Sequence, residues 1–202
     1  MKKILLILII IISYFPKCQN LELIDGDYSY TKVIEVNKSK KEIYSSIKKW
    51  LNNSMTKSKY VIDQDDPETG IISFNEILPE VEYMYMKSSQ VSYKINIDIK
   101  ENKLRYRVNN ITFNNKFAGL ANYRQTYEGF LSDINKETDT YNTSQKLLGE
   151  ATKQRQKKEY EYESNNARNN LRSLNALQDL IKSQIILNEK TIVSKVNETD
   201  EW

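Results

Sequence analysis

From Val91 to Lys100 every second residue is apolar. Val91, Tyr93, Ile95, Ile97 and Ile99 alternate with Ser92, Lys94, Asn96, Asp98 and Lys100. A period of two sends the two sets to opposite faces of a strand, so this segment predicts a strand with one buried and one wet face. Glu101-Asn102-Lys103 turns the chain, after which Leu104, Tyr106 and Val108 alternate with Arg105 and Arg107. Ile111 and Phe113 then fall on the other parity, which predicts a bulge near Asn109-Asn110. Residues 28–36, 60–64 and 70–78 are rich in Tyr, Thr, Val and Ile and give three earlier strands. The last two are joined across Asp65–Gly70, where Pro67 and Gly70 favour a turn.

After the first strand the period becomes helical. Ser39 and Glu42 have the spacing of a capping box, each side chain reaching the other residue's backbone N–H. Ile43, Ile47, Trp50 and Leu51 follow on one face, with Lys40, Lys41, Lys48 and Lys49 away from it. The order over residues 28–113 is therefore β-α-β-β-β-β. It predicts an α+β domain, an antiparallel sheet packed against a helix on its apolar face.

The punctuation then fades: from Glu150 to Trp202 there is neither Gly nor Pro. Residues 114–140 show no decisive period, and 141–187 reads as a long C-terminal helical extension in which Ser144 can cap a helix beginning near Gln145. Residues 150–170 are almost wholly polar and form either a solvated helix or a disordered stretch. Leu171, Leu174, Leu177, Ile181 and Ile185 make a stripe. It either packs back on the sheet or pairs with another chain, which would make 171–187 an oligomer contact. Residues 188–202 read as a flexible tail.

Lys38-Ser39-Lys40-Lys41-Glu42-Ile43-Tyr44, Trp50-Leu51, Val61-Ile62-Asp63-Gln64-Asp65-Asp66 and Gly70-Ile71-Ile72 occur in that order. This set resembles a bacterial domain of unknown function, common in exported proteins of the Bacteroidetes, with a TATA-box-binding-protein-like fold. The resemblance covers about residues 28–113, to which a closing helix at 166–187 can be added. It implies a fold and an exported location, and it brings no activity with it.

The chain has no histidine and a single cysteine. Ser–His–Asp and Cys–His sites are thereby excluded within the chain, as is the commonest metal ligand. No phosphate-binding or dinucleotide-binding glycine motif is present. The expectation is a protein that is not an enzyme, with no cofactor and no metal. The alternative is a carboxylate-dependent hydrolase of the envelope, for which Glu76, Glu80 and Glu82 are the only cluster near a strand end. Asp63, Asp65, Asp66 and Glu68 are dense enough to suggest calcium, but Pro67 replaces an oxygen ligand and the twelve-residue spacing is missing, so they read as an acidic turn. Glu82–Lys87 is apolar on both faces and reads either as a covered edge strand or as an interaction patch. On the wet face of the sheet, Lys94, Lys100, Arg105 and Arg107, relieved by Asp98, are the candidate ligand-binding residues for an anionic partner. An envelope protein, a glycan or a lipid headgroup would supply that charge.

The N-terminus changes the charge balance. Lys2 and Lys3 precede an apolar run, Ile4–Ile12, and Pro16 breaks the chain. These are the parts of a secretory signal peptide spanning residues 1–18. Three of the 30 basic residues, Lys2, Lys3 and Lys17, lie within it and no acid does, so the processed chain has 27 of each sign. A formally neutral chain lacks the basic field that nucleic acid requires, and nucleic acid is not expected as a partner. Cys18 directly after the apolar run is a lipid-anchor candidate, although Pro16 and Lys17 stand where a lipobox prefers small residues. The product is expected in the periplasm, at the outer membrane or secreted. Mass spectrometry of the mature N-terminus after cell fractionation should find residues 1–17 or 1–18 removed. Intact chain in the cytosol would refute export. Cys18→Ser should release a lipidated form from the membrane fraction, and unchanged partitioning would exclude the anchor.

Overall fold

The computed structural model describes residues 21–24, 27–55, 60–84, 87–117 and 122–198; the predicted signal peptide and Cys18 lie outside these residues. The alternating run at 91–100 is the middle of β6 (Lys87–Lys100), which pairs along its whole length with β7 (Lys103–Phe117). The other strands are β1 (Glu22–Ile24), β2 (Asp27–Glu35), β3 (Tyr60–Asp66), β4 (Ile71–Ile77), β5 (Val81–Met84) and β8 (Tyr123–Thr126). The order across the sheet is β1-β2-β7-β6-β4-β3, with β5 beside β6 and β8 beside β7. Every pairing is antiparallel. The fold is α+β, as the alternation predicts.

The shift of parity in β7 has the expected cause. Register against β6 slips between Ser92 and Lys94, and Asn110 adopts a left-handed φ of 55°. The bulge lets Leu104, Tyr106 and Val108 on one side of it and Ile111 and Phe113 on the other all face the same core. The acidic turn between β3 and β4 is built on its own backbone. Asp66 Oδ1 accepts from the N–H groups of Glu68 and Thr69 at 2.9 and 3.1 Å. Gly70 follows at φ 79°, and a Cβ there would come within 2.7 Å of the Ile99 carbonyl oxygen. Both the angle and the close approach require glycine.

Among the described residues, three helices cover the apolar face. In α1 (Lys40–Met55) the Glu42 N–H donates to Ser39 Oγ at 3.3 Å, and the Ser39 N–H donates to Glu42 Oε2 at 2.8 Å. Ile43, Ile47, Trp50 and Leu51 are buried, and the Trp50 ring lies edge-on to Phe74 of β4 at 6.0 Å. Helix α2 (Tyr127–Glu150) starts at Thr126, whose hydroxyl accepts from the Gly129 N–H. Its Tyr127 and Phe130 pack on Phe113, the Phe rings stacked at 4.5 Å. After 151–153 the chain reverses into α3 (Gln154–Asn197), a helix of 44 residues. Antiparallel contacts run down the pair, from Gln145 with Ser164 and Tyr141 with Arg168 to Tyr127 with Gln178. Beyond that hairpin, α3 lays Leu174, Leu177, Ile181, Ile185, Ile192 and Val196 against the sheet and α1. Among the described residues no helix is long and apolar enough to cross a membrane.

Three readings of the C-terminal half change. The helical segment begins at Tyr127 rather than 141, because tertiary stacking on Phe113 supplies the apolar contacts that periodicity alone does not show. Ser144 does not cap a helix; it is buried inside α2 and donates to Glu163 of α3 at 3.3 Å. The tail read from 188 is helical through Asn197, with Asn188, Glu189, Ile192 and Val196 buried. The stripe at Leu174–Ile185 packs on the sheet of its own chain, and the polar stretch after Lys153 is helix.

A buried polar seam runs between α3 and the sheet. Tyr93 Oη donates to Glu76 Oε2 at 2.7 Å, and Asn188 Nδ2 reaches both that carboxylate and the Tyr93 hydroxyl. Tyr30 Oη donates to Glu189, which also accepts from Lys32 Nζ at 2.5 Å. Burial first, and then the Glu189 carboxylate, push the Tyr30 phenol above its ordinary range.

Trp50→Ala should destabilise the domain by about 3–5 kcal/mol through the cavity it leaves, and Ser39→Ala by about 1 kcal/mol through the lost cap. Urea unfolding followed by far-UV circular dichroism measures both. Equal midpoints for Trp50→Ala and the wild type would mean that the α1 stripe is not in the core.

Candidate functional site

Because burial is one-sided, the second face of the sheet carries the chemistry left for a partner. Its central rows come from the residues that alternate with the core. In register they are Lys94 with Asn109, Asn96 with Arg107, and Asp98 with Arg105. Thr31 and Val33 of β2 continue two of these rows, opposite Arg107 and Arg105. Ser73, Asn75 and Ile77 of β4 continue the rows on the other side. Among the described residues no helix packs over this face.

The four basic residues predicted from the alternation all lie on it, in different states. Lys94 is paired with Asp63. Arg105 forks onto Asp98, with Nε at 2.7 Å and Nη2 at 2.6 Å from the same oxygen. Arg107 sits half-buried between Asn96 and Thr31. Lys100 is exposed at the end of β6, opposite Lys103. Among the described residues neither Arg107 nor Lys100 forms an ion pair. Asp63 is the partner that sequence reasoning missed. The β3 register slips between Ile62 and Gln64, and that irregularity turns Asp63 toward Lys94 and Ser73. The Lys94 ammonium holds the Asp63 carboxyl below its ordinary range.

The face is therefore zwitterionic rather than uniformly cationic. Exposed ion pairs contribute roughly 0–1 kcal/mol each, so an incoming anion can exchange for Asp98 or Asp63 at small cost. Amide and hydroxyl pairs fill the gaps between the charges: Asn96 Nδ2 donates to Asn109 Oδ1 at 3.0 Å, and Ser92 and Thr112 hydroxyls meet at 2.9 Å. Val33 and Val61, 57% and 59% exposed, form apolar flanks on β2 and β3. Such a surface can bind through forked guanidinium and amide hydrogen bonds.

The carboxylates considered for chemistry are used elsewhere. Glu76 is buried under α3 in the polar seam, Glu80 pairs with Lys116 and Ser88 on the exposed rim, and Glu82 is exposed on β5. The Lys116 hydrogen bond, with Ser88, keeps the Glu80 carboxyl below its ordinary range. These three do not converge on one cleft. In the acidic turn, Asp65 binds Lys48 and Tyr44, and Asp66 closes its own turn. The Lys48 hydrogen bond, followed by that of Tyr44, holds the Asp65 carboxyl low. Burial and then Asp65 push the Tyr44 phenol up to about 12. No group of three metal-ligating side chains occurs among the described residues. In the Glu82–Lys87 segment β5 and β6 pair as a hairpin, while residues 85–86 lie outside the described ones.

Residues 30–114 match the family described as a domain of unknown function (DUF4468) with TBP-like fold. Among solved structures, the chain is similar to a TBP-like protein from Parabacteroides distasonis ATCC 8503. The identity is 18%, covering 55% of this chain and 70% of that one, with a TM-score of 0.45. It is also similar to a DUF4468 family protein from Bacteroides ovatus ATCC 8483, at 16% identity over 56% of this chain and 68% of that one, with a TM-score of 0.41. No curated protein matches the chain.

Proposed function

For a chain whose residues 30–114 form a DUF4468 domain of TBP-like fold, we propose the role of an exported, non-catalytic binding module of the bacterial cell envelope. The open face of its sheet takes an anionic partner. The observation that carries this reading is the one-sidedness of the fold. All three helices of the described residues cover one face, and the opposite face offers Arg105, Arg107, Asn96 and Asn109 in adjacent rows. A sheet backed by packed helices presents those side chains on rigid strands, which lowers the ordering cost of binding. Export rests on Lys2, Lys3 and the Ile4–Ile12 run. The partner chemistry is a carboxylate, phosphate or sulfate group carried by a glycan, lipid or protein of the envelope. Binding is favoured over carboxylate hydrolysis because Glu76 and Glu80 have other partners, Glu82 is exposed on β5, and the three do not meet.

Backbone amide shifts test this directly. The protein is titrated with a uronic-acid oligosaccharide and, separately, with nanodiscs of anionic lipid. One of the two should perturb residues 92–98 and 105–109. Arg105→Ala/Arg107→Ala should then weaken that binding at least tenfold, about 1.4 kcal/mol, with the urea midpoint little changed. Shifts confined to the helices, or none with either probe, would contradict the assignment of this face.

A further inference from the structure

Past the bulge at Asn110 the open face of the sheet changes character. In register, Ser92 stands opposite Thr112, Gln90 opposite Asn114 and Ser88 opposite Lys116. Strand β8 continues two of these rows with Thr126 and Arg124. In β6 and β7 these positions alternate with the buried Ser89, Val91, Phe113 and Asn115, so they face away from the helices. Among the described residues the side-chain amides of Gln90 and Asn114 have no hydrogen-bond partner. Arg124 forms no ion pair among them either; its Nη2 donates to Thr112 Oγ1 at 3.4 Å. Lys116, at the far end, is held by Glu80.

The face thus has cations at two ends and a neutral middle. Arg107 and Arg124 stand about 20 Å apart, since Arg124 lies opposite Asn114 on β7. The interval is filled by amides and by the Ser92–Thr112 hydroxyl pair. An amide both donates and accepts, so this stretch matches a ligand rich in hydroxyl groups. The whole row from Ser88 to Asp98 runs about 33 Å. A lipid headgroup is too compact to touch both ends. A bilayer surface is met by clustered lysines and arginines. Here the cations are separated, and Asp63 and Asp98 neutralise two of them.

We propose that the occupant of the open face is an extended acidic polysaccharide laid along β6 and β7. This rests on the binding role proposed above for that face and names its ligand class. Carboxylates of the glycan pair with Arg105 and Arg107 at one end and with Arg124 at the other. The hydroxyls between them bond to the Gln90 and Asn114 amides. Ile77, beside Ser92 and 37% exposed, gives the C–H face of a sugar ring an apolar contact.

Galacturonic-acid oligomers are the probes: a trimer, which covers one end of the row, and a nonamer, which covers both. Calorimetric titration gives their affinities, and backbone amide shifts give their footprints. The trimer should perturb residues 92–98 and 105–109, and the nonamer should also perturb 88–92, 112–116 and 124–126. Asn114→Ala/Arg124→Ala, at two exposed positions, should weaken the nonamer at least fivefold and leave the trimer and the urea midpoint unchanged. An unchanged nonamer, or equal losses for the two oligomers, would overturn the extended placement. Anionic-lipid nanodiscs binding this face while neither oligomer does would overturn the glycan and leave the binding role of the face standing. No binding of oligomers or nanodiscs would overturn both.

Discussion

The apolar face of the β6–β7 hairpin has to be covered, and the rest of the chain is arranged to cover it. Ten large side chains from these two strands point the same way and all are buried. The exposed alternative would cost about 1.5–3 kcal/mol for each of them. Helix α1 covers part of that face with a stripe of four residues. Helix α3 supplies the remainder from Leu174 to Val196, and α2 closes the Phe113 end. The one-sided core thus determines both the helical layer and the bare layer opposite it.

A purely apolar interface would let a long helix slide along the sheet by a turn. The seam of Glu76, Tyr93 and Asn188, with Tyr30, Glu189 and Lys32 beside it, opposes that movement. A buried carboxylate or amide stripped of its hydrogen bonds costs several kcal/mol. Displacing α3 by one turn would take Asn188 away from Glu76 and Tyr93 and part Glu189 from Tyr30 and Lys32. The polar groups at this interface fix where the helix sits, and the apolar stripe supplies most of the adhesion.

The same seam explains what could be read from the sequence and what could not. Strands with alternating burial announced themselves, down to the bulge at Asn109-Asn110, because periodicity is a record of which face is wet. The capping box and stripe of α1 were equally legible. The inward positions Asn188 and Glu189 are polar, so the end of α3 looked like solvent-exposed tail. Helix α2 was obscured for a related reason: Tyr127 and Phe130 are explained by Phe113, far away in sequence. Strands β1 and β8 are mostly exposed and join the sheet through their backbones, which leaves little trace in the side chains. The outward cations were predicted as a set, but not the pairing of Lys94 with Asp63, which depends on an irregularity in β3.

The central claim is that α3 belongs to the core and thereby leaves the other sheet face uncovered. Native-state hydrogen exchange measures this residue by residue. The account predicts that amides from Leu174 to Val196 and those of β6 and β7 exchange only through global opening, with free energies agreeing within about 1 kcal/mol. Exchange across Leu174–Val196 at a free energy several kcal/mol lower, with β6 and β7 still protected, would show that the helix is a detachable arm and would contradict the account.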